Sequence, residues 1–264
     1  MAPPQNYPTI EKGDSNMRLT EWNGYDRIEF ELDGKEGLVV LPHTFAKGRP
    51  WVWRAEFFGD FDHADMALLE QGYARAYYRQ NDMYGCPEAV EGMRRFQTFV
   101  TRVFGLAEKT ILFGFSRGGL YAFNYAATYP DQVELLYLDA PVLDIRSWPG
   151  GKGVGPGAER EWRECLDAYG LSEEESVYAE VSPLNKIEAV AAAGIPILLV
   201  AGDADELVPY SENGALLVPR YRGLGGTIVD IVKEGVGHHP HSLEDPAPIV
   251  AFVREHAKRH HSSE

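Results

Sequence analysis

The segment Gly114-Phe115-Ser116-Arg117-Gly118 decides how the rest of the chain reads. It follows the apolar, β-branched run Thr110-Ile111-Leu112-Phe113. It leads into Gly119-Leu120-Tyr121-Ala122-Phe123-Asn124-Tyr125-Ala126-Ala127, a run of helical character. A G-x-S-x-G pattern between strand and helix is the setting in which a serine hydroxyl is raised off the end of a sheet as a nucleophile. The glycines let the chain turn where a Cβ would clash. Glycine-flanked serines also occur as plain turns or helix starts, so the pattern needs partners elsewhere.

A serine hydroxyl is a poor nucleophile at neutral pH. It needs a base to take its proton, and the base needs an orienting acid. Both types of residue follow in order. After the apolar run Ile195 to Ala201 comes Gly202-Asp203-Ala204-Asp205-Glu206-Leu207-Val208-Pro209, three acids at the carboxyl end of a strand, where sites of α/β proteins form. Asp205 is the expected acid. Asp203 competes with it, its alternative role being to bind backbone amides in the turn; Glu206 is either solvated or turned toward substrate. After Thr227 to Val232 comes Gly235-Val236-Gly237-His238-His239-Pro240-His241. His238 is the expected base and His239 the alternative. Three histidines also suggest a metal, but they sit in a Pro-containing loop without the i, i+4 spacing of a helical ligand pair. Neither a metal nor a cofactor is expected.

Short apolar runs alternate with longer amphipathic ones, the rhythm of a mostly parallel sheet covered by helices. Strands are expected at Tyr25 to Leu32 (an antiparallel edge), Gly37 to Leu41, Tyr73 to Tyr78, Val133 to Leu138, and in the apolar runs before the acid and histidine segments. Helices are expected over Trp51 to Gln71, Pro87 to Phe104 (with Pro87 suited to a first turn) and Pro248 to Lys258. The rhythm breaks between Asp144 and Lys186. There the Gly-rich Pro149 to Gly157 precedes short helices expected at Ala158 to Tyr169 and near Glu173 to Glu180. A long insertion of this kind is often a lid or substrate-binding element. No Gly-Lys-Ser/Thr follows its glycines, so a phosphate loop is disfavoured.

With 264 residues and 44% hydrophobic composition, one domain over residues 1–264, with the insertion at 145–186 inside it, accounts for the chain. The net charge of −15 disfavours nucleic acid and anionic membranes as partners. Cys86 and Cys165 are expected as free thiols. No run is long and apolar enough for a bilayer span. Met1 to Asp14 is polar and Pro-rich, without a signal-peptide core. The chain as given is expected in the cytoplasm, with export left open where a signal peptide has been removed. The tail from His256 to Glu264 is polar, and its histidines are expected in solvent.

The elbow, the acid turn Gly202-x-x-Asp205-x-x-Val208-Pro209 and the histidine loop together resemble the α/β-hydrolase superfamily, over nearly the whole chain from about Tyr25. More narrowly, Gly48-Arg49-Pro50-Trp51-Val52-Trp53-Arg54, Ser116-Arg117-Gly118-Gly119-Leu120, Ser147-Trp148-Pro149-Gly150-Gly151 and Gly237-His238-His239-Pro240-His241-Ser242-Leu243 look similar to bacterial carbohydrate-esterase-like members. The resemblance implies an α/β-hydrolase fold and a serine esterase with Ser116 as nucleophile, His238 as base and Asp205 as acid. It places one oxyanion-hole donor at the backbone N–H of Arg117. The second is expected at Phe45 or Ala46, in the loop after Gly37 to Leu41, where Thr44 replaces the glycine that commonly follows a histidine. Arg54, Trp148 and Trp51 are the expected substrate contacts, with Tyr84, Glu212 and Asn213 as further candidates. Flat aromatics and guanidinium groups suit a sugar ring or carboxylate, so the expected partner is a small polar or carbohydrate-linked ester. A peptidase, a lyase of the same fold and a non-catalytic binding protein are the rival readings.

Overall fold

The computed structural model describes residues 17–257. Its strands are β1 (Arg18–Trp22), β2 (Tyr25–Leu32), β3 (Lys35–Val40), β4 (Trp51–Arg54), β5 (Ala74–Tyr78), β6 (Thr110–Phe115), β7 (Val133–Asp139), β8 (Ile197–Gly202) and β9 (Ile228–Lys233). They form one sheet in the order β1-β2-β3-β5-β4-β6-β7-β8-β9. The pairs β1–β2, β2–β3 and β3–β5 are antiparallel; from β5 onward every pair is parallel. The helices are α1 (His63–Glu70), α2 (Pro87–Phe104), α3 (Gly118–Thr128), α4 (Glu159–Tyr169), α5 (Glu173–Ser176), α6 (Ile187–Ala192), α7 (Gly214–Gly223) and α8 (Ala247–His256).

The two-residue period of the strands divides the core between the faces of the sheet. Trp51 and Trp53, Leu112, Leu136 and Leu138, and Ile197 and Leu199 face one way, against α2, α3, α6 and α7. Val52, Ile111, Phe113 and Phe115, Leu135 and Tyr137, and Leu198 and Val200 face the other, against α1 and α8. Such strands are apolar throughout because neither face meets water, which is why Thr110–Phe115 and Ile197–Gly202 are buried at every position.

Three sequence expectations change. Trp51 to Gln71 is not one helix: Trp51–Arg54 is a central parallel strand, and the helix begins only at His63. Aromatic and β-branched residues in Trp51-Val52-Trp53 fit a pleated surface, and Gly59-Asp60 marks the break. Tyr25–Leu32 is antiparallel but not an edge, because β1 covers it. His256 is buried, its ring 4.3 Å from that of Phe252, because it continues the inward face of α8; Met1 to Asp14 and the tail beyond Ala257 lie outside the described residues. No helix among the described residues is long and apolar enough to cross a membrane.

Candidate active site

Ser116 stands at the turn between β6 and α3 with φ of +49°, in the left-handed region. A non-glycine residue stays there only where its surroundings hold it. Here the Ser116 N–H donates to the Asp139 carbonyl at 2.9 Å, and the Ser116 carbonyl accepts from Gly119 and Val142 at 2.9 Å each. The close packing falls on Gly114 and Gly119. A Cβ on Gly114 would lie 2.9 Å from both the Ala122 Cβ and the Gly118 carbonyl oxygen; one on Gly119 would lie 2.7 Å from the Pro141 Cβ. On Gly118 it would meet nothing closer than 3.4 Å.

Three loops at the carboxyl ends of β6, β8 and β9 bring the expected side chains together. Ser116 Oγ lies 2.9 Å from His238 Nε2, and His238 Nδ1 lies 2.7 Å from Asp205 Oδ2. The other carboxylate oxygen of Asp205 accepts the Leu207 and Val208 amides at 2.9 and 2.8 Å. Asp205 is therefore buried with both oxygens satisfied, and its bond fixes the His238 proton on Nδ1. Nε2 is left as an acceptor facing the serine. Asp203 takes the alternative role: its carboxylate accepts the Gly235 amide at 2.7 Å, strapping the acid turn to the histidine loop. Glu206 is exposed.

His239 is exposed, stacked on Phe61 with ring centroids 5.7 Å apart. Partial desolvation against its neighbours lowers its pKa, and the nearby His241 and His238 lower it further. His241 is buried and bonds Asp139 through Nδ1 at 2.7 Å. Asp139 also accepts from the Tyr137 hydroxyl at 2.6 Å and the Ser242 amide at 2.8 Å. This second histidine–carboxylate pair is not expected from sequence, because Asp139 reads there as nothing more than a strand end.

The Arg117 amide lies at the amino end of α3, where helical N–H groups have no intrahelical acceptor. Phe45 and Ala46 are elsewhere. Their loop joins the starts of the parallel strands: the Ala46 amide donates to Gly72, just before β5, at 2.9 Å, and Arg49 accepts from Ala107, just before β6, at 3.0 Å. That edge of the sheet is opposite Ser116. The difference follows from Trp51–Arg54 being a strand: β4, not β3, is the parallel neighbour of β6 and ends beside the elbow. After β4 the chain turns at Ala55-Glu56-Phe57, and a Cβ on Gly118 would lie 3.6 Å from the Glu56 amide nitrogen.

The expected substrate contacts divide. Trp51 is wholly buried at the start of β4, donating its indole N–H to the Ala107 carbonyl at 2.9 Å. Arg54 is wholly buried on the α1 face, paired with Asp65 at 3.0 Å and lying 3.9 Å over the Phe115 ring. Arg75 shares Asp65 at 2.9 Å, and burial pushes its pKa down to about 10. Strand alternation sends Arg54 beneath the sheet, so neither residue reaches a substrate. Trp148 stays half-buried, its ring 6.3 Å from that of the buried Tyr84. Tyr84 donates to Glu164 at 2.8 Å. Glu212 and Asn213 brace the insertion: Ser147 donates to Glu212 at 2.7 Å, and Asn213 donates to the Ser147 hydroxyl at 3.1 Å.

The Arg117 guanidinium lies beside the elbow, bonded to Glu56 and Asp82 at 2.9 Å each. Burial pushes the Glu56 carboxyl up, and Arg117 opposes that shift. Burial works against the charge of Arg117, but Glu56 and Asp82 outweigh it and raise its pKa.

This topology, with its strained serine at the β6–α3 turn, is that of the α/β-hydrolase fold, and the class it defines is that of the serine hydrolases. The chain belongs to the prolyl oligopeptidase family, which it matches over residues 69–260. A monoacylglycerol lipase of Mycolicibacterium smegmatis is 27% identical over 213 residues, 70% of this chain and 75% of that protein. Two solved structures share the fold. An S-formylglutathione hydrolase from Agrobacterium tumefaciens superposes with a TM-score of 0.63 at 15% identity, over 93% of this chain and 98% of that one. An acylaminoacyl peptidase of Pyrococcus horikoshii superposes with a TM-score of 0.69 at 14% identity; 94% of this chain is covered, but only 43% of the peptidase.

Proposed function

We propose that this protein is a carboxylic-ester hydrolase working through a Ser116–His238–Asp205 triad and an acyl-enzyme, on a small polar or carbohydrate-linked ester such as an acetyl or methyl ester. The observation that carries this reading is the continuous relay from serine to buried carboxylate, 2.9 Å and then 2.7 Å. Ser116 Oγ attacks the ester carbonyl carbon while His238 Nε2 takes its proton. Asp205 stabilises the imidazolium that results. The tetrahedral intermediate collapses as His238 returns the proton to the departing alkoxide, leaving an acyl group on Ser116. Water, deprotonated by His238, then releases the acid and regenerates the serine.

The oxyanion would be held by the Arg117 amide and by a second amide from Glu56-Phe57, a donor worth roughly 3 kcal/mol of barrier. The insertion over residues 145–186 would act as a cap on substrate entry. Ester rather than amide chemistry is supported by the lipase relative. A polar substrate is supported by the charged Arg117, Glu56 and Asp82 beside the serine.

The test is hydrolysis across acetyl, longer acyl, feruloyl and uronate methyl esters and short peptides, by wild type and Ser116→Ala. Turnover of a short polar ester, reduced at least about a thousandfold in the variant, is expected. A preference for peptides would replace the esterase reading by the peptidase one.

A further inference from the structure

Three imidazoles meet at the base of the proposed triad. The ring centroids of His238, His239 and His241 lie 5.0, 4.7 and 4.8 Å apart, and each pair of rings is close to perpendicular, at 75°, 78° and 86°. One ring nitrogen from each lies within 4.8 Å of the other two. Nitrogens around a tetrahedral Zn²⁺, at 2.0–2.1 Å from the ion, stand about 3.4 Å apart, so a small inward movement closes the set. Paired histidine ligands on a helix stand at i, i+4; here a loop gathers three instead.

A second observation points the same way. His238 and His241 each bond a buried carboxylate through Nδ1 at 2.7 Å, Asp205 for one and Asp139 for the other. That outer-shell bond fixes the tautomer and orients the ring, as it does for histidines that bind zinc. Nε2 of both rings is thereby prepared as a ligand. The exposed His239 completes the set from the solvent side, braced by Phe61.

We propose that His238, His239 and His241 form a reversible inhibitory site for a borderline divalent cation, Zn²⁺ foremost. Imidazole donors select such a cation over Mg²⁺ or Ca²⁺. The ion takes the Nε2 lone pair of His238, the one that would otherwise accept the Ser116 proton, so metal binding and catalysis exclude each other. The inhibition rests on the triad reading above; the binding does not.

The experiment is calorimetric titration of the whole, chelator-treated protein with ZnCl₂, with ester turnover followed in parallel. One Zn²⁺ per chain is expected, with turnover lost on binding and restored by EDTA. His239→Ala, outside the serine relay, should keep its metal-free turnover while binding Zn²⁺ at least about tenfold more weakly, with the inhibitory concentration rising by the same factor. His241→Gln should weaken binding likewise. No binding, or equal binding by the His239→Ala variant (as when the tail's His260-His261 takes the metal), overturns the site. Zinc bound without loss of turnover overturns the inhibitory role. A protein inactive on every ester would count against the esterase reading alone, because the calorimetry still decides the site.

Discussion

At the scale of single residues, the acid turn offers two aspartates and the structure gives them different work. Asp205 holds the His238 ring and two backbone amides, whereas Asp203 holds only the Gly235 amide. In the proposed mechanism Asp205→Asn leaves the packing intact but supplies an N–H where His238 needs an acceptor, so the ring is pushed toward the wrong tautomer. A loss of about 10⁴-fold in kcat with little change in melting temperature is expected. Asp203→Asn should retain most of its turnover. Equal losses in the two variants would remove the distinction. Asp205 and His238 could be singled out because each follows a readable strand and glycine, and the structure brings them within 2.7 Å of each other. Arg54 was not, because its role depends on which face of a strand it occupies. Its neighbour Asp65, 11 residues on, neutralises a charge that sequence alone leaves looking available. Asp139 was equally hidden, since its partner His241 is 102 residues away.

At the scale of elements, legibility follows the strength of local signals. Pro87–Phe104 keeps its expected bounds: Pro87 suits a first turn, and in the structure Gly105, at φ of +62°, ends the helix in the left-handed region. Trp51–Arg54 was misread because a four-residue strand followed by mixed apolar residues carries no period long enough to separate it from a helix. That misreading put Phe45 and Ala46 forward as oxyanion donors, although their loop lies at the opposite end of the sheet from Ser116. The loops also depend on one another. A Cβ on Gly202, at the end of β8, would lie 2.0 Å from the Val236 carbonyl oxygen in the histidine loop. Gly202→Ala must therefore push that loop away, at a cost of about 1–3 kcal/mol in stability. Because the displaced loop carries His238, turnover at a temperature where the variant is folded should fall by a further factor of at least about ten. Thermal unfolding measured beside kcat separates the two effects, and unchanged kcat would show that the loop repositions freely.

At the scale of the whole molecule, the nine strands among the described residues, with two apolar faces, hold three loops in register. The sheet fixes the carboxyl ends of β6, β8 and β9 side by side, and residues from Ser116 to His238, far apart in the chain, meet there. The insertion is tied to the same edge: Gly155 packs near Pro209 and Leu207, and Ser147 bonds Glu212. In the proposed mechanism, the cap over substrate entry is thereby tied to the loop that carries Asp205. The alternating rhythm made the parallel sheet and its site-bearing edge readable. The added strand β1 and the depth at which Trp51 lies depend on pairings and layers that emerge only when the whole chain is assembled. In the proposed mechanism this assembly makes Ser116, among all the serines of the chain, the nucleophile. Its most direct test is to treat the intact protein with a fluorophosphonate probe and locate the adduct by peptide mass spectrometry. A single phosphonylated residue, Ser116, is expected, with labelling lost in His238→Ala. A folded protein left unlabelled, or labelled at another serine, would contradict it.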